Sequence, residues 1–576
     1  MAYFDPLPTR DERLFSKSPL STPVLVVGLG PVGLVTALLL ARQGINSTIV
    51  ERHALRLGQP KAHAINARSL EILRQAGIDL DELRQKGVPV EEGDRVRFLT
   101  HLTGDEIGCL PYERQDKAVE ELTPEPLFNL SQPILEQALQ EEVLGTGRVT
   151  IHRSHDWQSY EYDAERQIVR SRIKQRGHNE VLEVESKFVV GADGTNSTVR
   201  SRIPGVQLEA IDDDRGLMNY VSVHCTMDLS SYTNGRVAQL YFFCSPDTRH
   251  GGFIGYKNPE WVYARPVPDI TQEPLGYFTV ERCKKEIKTA IGPGVLSDIK
   301  IHSVQIWSTW PRTASSYSDS HQRIFLAGDA AHTFPPMGGL GVNTGIADAH
   351  NLVWKMRFVL DGLTATPQRL LKTYTTERRP VAVANSIQSA VNEQHMRQLD
   401  AVVLETVSNM SAALPELMLQ SQVKNDITTA IERNRDHFDS LGLQLGYVYN
   451  DVEASKSPQE LLRKDCSLYE PSFECGARLP HAWLLQIDGV GRKASTLDLV
   501  SERKLTLFAV KFHSSWIEDL KDLVVVVDVK ERRIPAAWIR AAHLSPSAAL
   551  LVRPDQHIMG FIGSKEDLVE CLSLCV

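Results

Sequence analysis

Residues 24–51 leave the chain little freedom in how it starts to fold. Val24 to Val27 is a short apolar run, Gly28-Leu-Gly30-Pro31-Val32-Gly33 follows, Leu34 to Leu40 is apolar, and Ser47 to Val50 is a second β-rich run ending at Glu51. Glycines at this spacing between strand and helix permit a tight turn, the approach of a pyrophosphate to bare backbone, and close helix–strand packing. Glu51 stands 51 − 33 = 18 residues beyond the last glycine, where an acid suits a ribose 2′-OH. An acid there, rather than arginine, favours FAD or NAD over NADP. The bland alternative is a tight turn with no ligand.

A second run extends from Arg323 through Gly328, Asp329, Phe334, Pro335 and Pro336 to Gly345. It reads as a buried strand (Ile324 to Ala327) ending in a carboxylate, then a proline elbow, then a helix start with Gly338, Gly339 and Gly341. Backbone N–H groups at such a start carry about half a positive charge. A hydroxyl acceptor and an anion-stabilising helix end suit a flavin, with Asp329 on the ribityl chain and the helix start facing the pyrimidine edge. A third run, Phe188 to Arg200, is a strand leading into Asp193-Gly194 and a helix start with Ser197 and Arg200. Alone, Asp-Gly is as often only a turn.

In this order the three runs resemble the class A flavoprotein monooxygenases, the aromatic hydroxylases with a p-hydroxybenzoate hydroxylase-like fold. The resemblance covers nearly the whole chain, including Tyr374-Thr-Thr-Glu-Arg-Arg-Pro380. Pro60 to Glu71 and Cys475 to Trp483 look like the branch of phenol, 2,4-dichlorophenol and polyketide hydroxylases. It implies an α/β fold: a Rossmann-like FAD-binding domain (22–205 and 311–453), an inserted mixed β-sheet substrate domain (206–310), a linker (454–473) and a thioredoxin-like C-terminal domain (474–576), after a flexible tail (1–21). The implied activity is single-component hydroxylation of a phenolic or polyketide-type aromatic substrate with O2, through a flavin C4a-hydroperoxide. Only one dinucleotide fingerprint is present, so NADH or NADPH would bind transiently as co-substrate.

Cofactor contacts are expected from Gly28, Gly30, Pro31, Val32, Gly33 and Glu51, from Asp193 and Gly194, and from Gly328 and Asp329. Pro336, Gly338, Gly339, Leu340, Gly341, Val342 and Asn343 extend this set. Matching family positions add Arg42, Arg52 and Gln132 near the phosphates and adenine, with Arg68 a further candidate. Phe334, Pro335 and Pro336 would wall the isoalloxazine, with His332 behind them.

A phenol of pKa about 10 is only about 0.1% ionised at pH 7, so an acceptor for its proton would make the ring more nucleophilic. His63 stands where the dichlorophenol hydroxylase-like pattern places a histidine, and an unperturbed imidazole is largely neutral at pH 7. A histidine that merely bonds backbone is the alternative. Strands are predicted at Tyr220–Met227, Arg236–Cys244, Gly252–Tyr256 and Trp261–Arg265, and a helix over Leu127–Val143. On those strands, Tyr241 and Tyr256 are the better candidates for the substrate pocket, ahead of Tyr220 and Trp261. Strand alternation should turn about half of the four elsewhere.

The net charge, 63 − 72 = −9, argues against nucleic acid or an anionic membrane as the main partner. No apolar run approaches the ~18 residues of a membrane span, and polar residues 1–22 lack a signal core, which suggests a cytoplasmic protein. The eight cysteines are scattered, and no metal or disulfide is expected. Without a C-x-x-C pair, the C-terminal domain would be structural or a contact between two copies. His350, His481 and His557 lack metal spacing. Epoxidation or Baeyer–Villiger oxidation on the same scaffold, and an FAD-containing binding protein without turnover, are the competing readings.

Overall fold

The computed structural model describes residues 20–55, 58–211, 217–294, 298–410, 414–449, 465–485, 493–510 and 520–575. The expected tail (1–21) and linker (454–473) fall largely outside these residues, as do most of residues 515–521, which the sequence reads as a helix.

The N-terminal runs form the predicted βαβ unit: β1 (Leu20–Val27), α1 (Pro31–Arg42) and β2 (Ser47–Glu51). Val24 to Val26 are fully buried because helices cover the sheet on both faces. Next come a two-residue strand β3 (Ala64–Ile65) and helix α2 (Ala67–Gln75), capped by the Asn66 side chain on Ser69 N–H. β4 (Val181–Gly191) and β5 (Ile324–Leu326) extend the same sheet in parallel, in the order β2, β1, β4, β5. Ile168–Gln175 joins the earlier part of β4 in antiparallel fashion. Two long helices follow, α3 (Leu340–Leu360) and α4 (Pro367–Met410), the latter continuous through Pro380.

The second large sheet is mixed and runs in the order Lys300–Thr309, Met218–Thr226, Glu260–Pro266, Gly252–Gly255, Leu240–Phe243, Arg95–Leu99, Glu106–Pro111. The expected boundary at 206–310 is therefore too narrow. Arg95–Leu99 pairs in parallel with Leu240–Phe243 and brings its hairpin partner with it. A five-residue strand carries no local signal of which sheet it will join. The expected helix from Leu127 begins only at Gln132, because Phe128–Asn129 pairs with β3.

Alternation splits the four aromatic candidates. Tyr241 and Trp261 pack with Val221, Val223, Phe253 and Tyr263 in a cluster that includes Cys283, Ile287 and Ile291 of helix Val280–Ile291. Tyr220 alternates with Val221 and Val223, so it faces the opposite side, where its hydroxyl reaches Glu393 of α4 at 3.2 Å. Tyr256 lies just past its strand and next to His63.

The C-terminal unit is a four-stranded sheet in the order Val524–Asp528, Leu505–Ala509, Ala549–Val552, Ile558–Ile562, closed by helix Lys565–Cys575. Its first pair is parallel and the others antiparallel. Among the described residues no helix is long and apolar enough to cross a membrane, and no three His, Cys, Asp or Glu side chains could hold a metal ion together.

Candidate active site

The carboxyl ends of β2, β1, β4 and β5 lie side by side: Val27 is level with both Val50 and Gly191, and Gly191 with Leu326. At about 4.8 Å per strand the row is about 14 Å wide. In open parallel sheets this edge is where ligands bind, and all three signature runs leave the sheet here.

The first loop is formed by backbone contact. A Cβ on Gly33 would lie 2.1 Å from Gly28 O, and one on Gly28 2.3 Å from Ala192 O, so neither position tolerates a side chain. Around Gly30 nothing lies within 4 Å of such an atom, which leaves its backbone open to a ligand. Pro31 opens α1, where its missing N–H costs nothing. Glu51 stands beside this opening, accepting the Leu29 and His53 N–H groups at 2.9 and 2.8 Å.

The other two loops are tied together. Asp193 accepts from the N–H groups of Thr198 and Val199 and from the Ser197 hydroxyl, and so caps a short helix. Arg52 lies 3.4 Å from the Asp193 carbonyl, and the turn closes on Gly194 at φ 83°. Arg200 crosses to Ala330 O at 2.8 Å, and the Thr195 hydroxyl approaches Asp329 at 3.4 Å. Between buried Gly328 and Ala330, Asp329 alone is exposed. These features fit a flavin nucleotide: open backbone at Gly30, acids at Glu51 and Asp329, and α3 beginning without a side-chain cap at Gly339 (φ 62°). The free N–H groups of that start carry the helix's partial positive charge.

Several expected contacts are confined to backbone. Val32 is wedged between Gly328 and Gly345: Cβ atoms there would meet its Cγ2 at 2.9 and 2.5 Å. Leu340 is buried and Val342 packs against the main core, leaving Gly341 facing Phe334. Pro336 is exposed, and Phe334 stacks parallel to His332 at 5.1 Å. The Gln132 side chain bonds Glu136, while its N–H holds Ala62 O. Asn343 donates to Ala64 O at 2.9 Å and Gly339 O at 2.6 Å and accepts Asn66 N–H at 3.0 Å. It thus fastens the start of α3 to β3.

Three expected side chains are committed to partners within the protein. Arg42 lies at the far end of α1, roughly 18 Å from Gly30 at 1.5 Å per residue, bonded to Ala76 O and Glu142. Arg68 is buried and held by Glu71, Gln556 and the Asp555 carbonyl. The Tyr241 hydroxyl donates to Arg236 O on the outer side of its sheet.

His63 directly precedes β3. Its Nδ1 lies 3.0 Å from Asn129 Oδ1 and 3.4 Å from Gln239 Nε2; in the tautomer that donates to Asn129, Nε2 is left as an acceptor. Tyr112 and Tyr256 flank it at ring distances of 6.0 and 6.3 Å. Burial lowers the imidazole pKa to about 4, against a smaller opposing effect of Asn129, so the ring is neutral at physiological pH.

Sequence reasoning missed Asp348 and Arg378. Asp348, wholly buried, accepts from Gly328 N–H (3.1 Å), His332 Nε2 (2.7 Å) and Arg378 Nε (2.8 Å). Burial alone would raise its pKa, and Arg378 and His332 more than offset that, keeping it ionised. It thereby holds the turn that presents Asp329. An acid flanked by Ala347 and Ala349 in the helix after the glycines was the available signal.

Buried histidines set an acid limit on stability. Burial holds His63, His152 and His481 at about 4 and His350 and His437 at about 3. Below their unfolded value of about 6.5 the unfolded chain binds more protons, so each removes roughly 2 kcal/mol between pH 7.5 and 5. Buried Glu113, raised to about 7, acts in the opposite sense, but five histidines outweigh it. The melting temperature should therefore fall clearly from pH 7.5 to pH 5. An unchanged or higher value at pH 5 would refute the assignment.

Comparison with known proteins agrees with this geometry. Residues 21–389 match the FAD binding domain family, and residues 473–571 the aromatic-ring hydroxylase C-terminal family. The chain is 28% identical to 2,4-dichlorophenol 6-monooxygenase of Delftia acidovorans, with 94% of each chain covered. It is 29% identical to tetracenomycin B2 monooxygenase-dioxygenase of Streptomyces olivaceus, with 95% of each covered. Among solved structures, the flavin-dependent monooxygenase PieE in complex with FAD and substrate superposes with a TM-score of 0.80 at 26% identity, covering 97% of this chain and 98% of that one. Nucleotide-shaped loops, matched families and full-length relatives converge: the chain belongs to the FAD-dependent aromatic-ring monooxygenases.

Proposed function

We propose that this protein hydroxylates a phenolic or polyketide-type aromatic ring, with NADH or NADPH and O2 as co-substrates. The observation that carries the reading is the clamp made by Asn343. One side chain fixes both the glycine-rich start of α3 and the strand that follows His63. The place for a flavin edge and a neutral proton acceptor are thereby held in one frame.

FAD held here would supply the redox chemistry of hydride acceptance and oxygen transfer. The protein's part is placement and charge. Gly30, Glu51 and Asp193 would hold the nucleotide half, Asp329 the ribityl chain, and the start of α3 the negative edge of the reduced ring. His63 Nε2 would accept a hydrogen bond from the substrate hydroxyl. Phe334 and the buried side chains around His63 would limit water near the reacting carbon.

Two finer points support this reading. The C-terminal sheet order, with one parallel pair, two antiparallel pairs and a closing helix, is that expected of a thioredoxin-like unit. Tyr256, beside His63, is the better substrate-facing tyrosine.

Asp329→Ala should weaken FAD retention about tenfold or more, as expected for a lost charge-assisted hydrogen bond. Flavin occupancy after gel filtration measures this, and equal occupancy would remove Asp329 from the site. A screen of phenols that follows NAD(P)H consumption, with product mass checked for one added oxygen, tests the reaction itself. Product masses of epoxides or ring-expanded esters would redirect the reading.

A further inference from the structure

The sequence Arg553-Pro-Asp-Gln-His557 has no part in the reaction described above, yet its side chains are among the most deeply buried polar groups of the C-terminal unit. We propose that this turn is a positioning element of the flavin site, fixing α2 and α3 relative to one another further along α3 than Asn343. The inference rests on the FAD reading above.

Three residues of the turn, Arg553, Asp555 and Gln556, each have a distinct grip. The Asp555 carboxylate accepts from Trp354 Nε1 at 3.1 Å and Asn351 Nδ2 at 3.3 Å, both on α3. Arg553 forks onto Glu377 of α4 at 2.7 and 3.0 Å, and Lys355 of α3 closes on the same carboxylate at 2.7 Å. On the other flank, Arg68 of α2 donates to Gln556 Oε1 at 2.7 Å and to Asp555 O at 2.8 Å. α3 starts at the glycines facing the nucleotide edge, and α2 starts four residues after His63. The turn therefore touches both helices whose starts define the site.

The choice of groups indicates why the contact is built this way. Apolar residues of similar volume would join these helices without the cost of burying charge. The forked Arg553–Glu377 pair fixes how the turn sits on α4, beside Lys355 of α3, because two parallel bonds fix an angle as well as a distance. Angle is what a pocket that aligns a ring against a flavin needs.

The test uses full-length protein carrying Gln556→Ala, Gln556→Glu or Asp555→Asn. Gln556→Ala and Asp555→Asn should melt cooperatively yet bind FAD about tenfold more weakly, the scale of one buried hydrogen bond, with an altered visible flavin band. Gln556→Glu keeps an acceptor for Arg68 and should restore both. With a substrate in hand, the first two variants should also divert more NAD(P)H to hydrogen peroxide instead of product. If Asp555→Asn does not fold, Gln556→Ala, which removes an uncharged group, decides. Wild-type FAD affinity, flavin band and peroxide ratio, with only a lowered melting temperature, would overturn the proposal. Wild-type protein that takes up no FAD would instead overturn the cofactor reading.

Discussion

His63→Ala should keep its FAD and lose about a hundredfold of its substrate-dependent product formation, at the low end of what a positioned acid–base group contributes. The size of the effect follows from where the imidazole stands. Its Nδ1 is engaged by Asn129 and Gln239, so Nε2 is the nitrogen left for a ligand. Burial holds its pKa at about 4, and taking a proton outright from a phenol of pKa about 10 would be uphill by roughly 8 kcal/mol. In the proposed reaction the ring would therefore act by accepting a hydrogen bond and favouring a partly ionised hydroxyl. His63→Gln, which retains an acceptor oxygen, should recover part of the loss. The same pKa predicts no decline of kcat/KM near pH 6.5 from this group, since it stays neutral down to about 4. Wild-type turnover in His63→Ala, measured as product rather than as NAD(P)H oxidation, would place the acceptor elsewhere.

Asp348→Ala should be the most destabilising single change around the site. It leaves the Arg378 guanidinium buried without its carboxylate and releases Gly328 N–H and His332 together. Removing one partner of a buried ion pair costs about 3–5 kcal/mol, a large share of a total that is typically about 5–15 kcal/mol. Arg378 also reaches Thr344 O and the Tyr449 hydroxyl, so the damage should spread along α3. Urea denaturation of the FAD-free and FAD-loaded forms measures it. A loss below about 1 kcal/mol, the scale of a surface pair, would mean that the turn presenting Asp329 does not depend on this carboxylate. Asp348→Asn, which keeps an oxygen for Gly328 N–H, should lose less.

The nucleotide edge was legible in the sequence because each of its features is local. A strand, three glycines, a helix and an acid within 28 residues state their own geometry, and the Asp193 and Asp329 turns repeat the logic. What escaped is what only the folded chain brings together. Asp348 matters because of residues 16, 20 and 30 positions away, and no spacing rule links them. Tyr241 was favoured over Tyr220 because tyrosines in a strand look alike until the register says which face they occupy. Arg68 sits at a helix start, as a phosphate ligand would, yet its partner comes from 488 residues downstream. Such long-range pairing of buried charge is invisible to periodicity.

The mixed sheet draws Arg95–Leu99 and Glu106–Pro111 from a stretch far upstream of its other strands. Anyone building chimaeras to exchange substrate range between relatives would be tempted to cut near 206 and 310. Those breakpoints would transplant five strands and leave the host to supply the two strands of one edge, which it did not evolve to match. Grafts that move both stretches together should retain a sealed sheet, and single-segment grafts should come out insoluble.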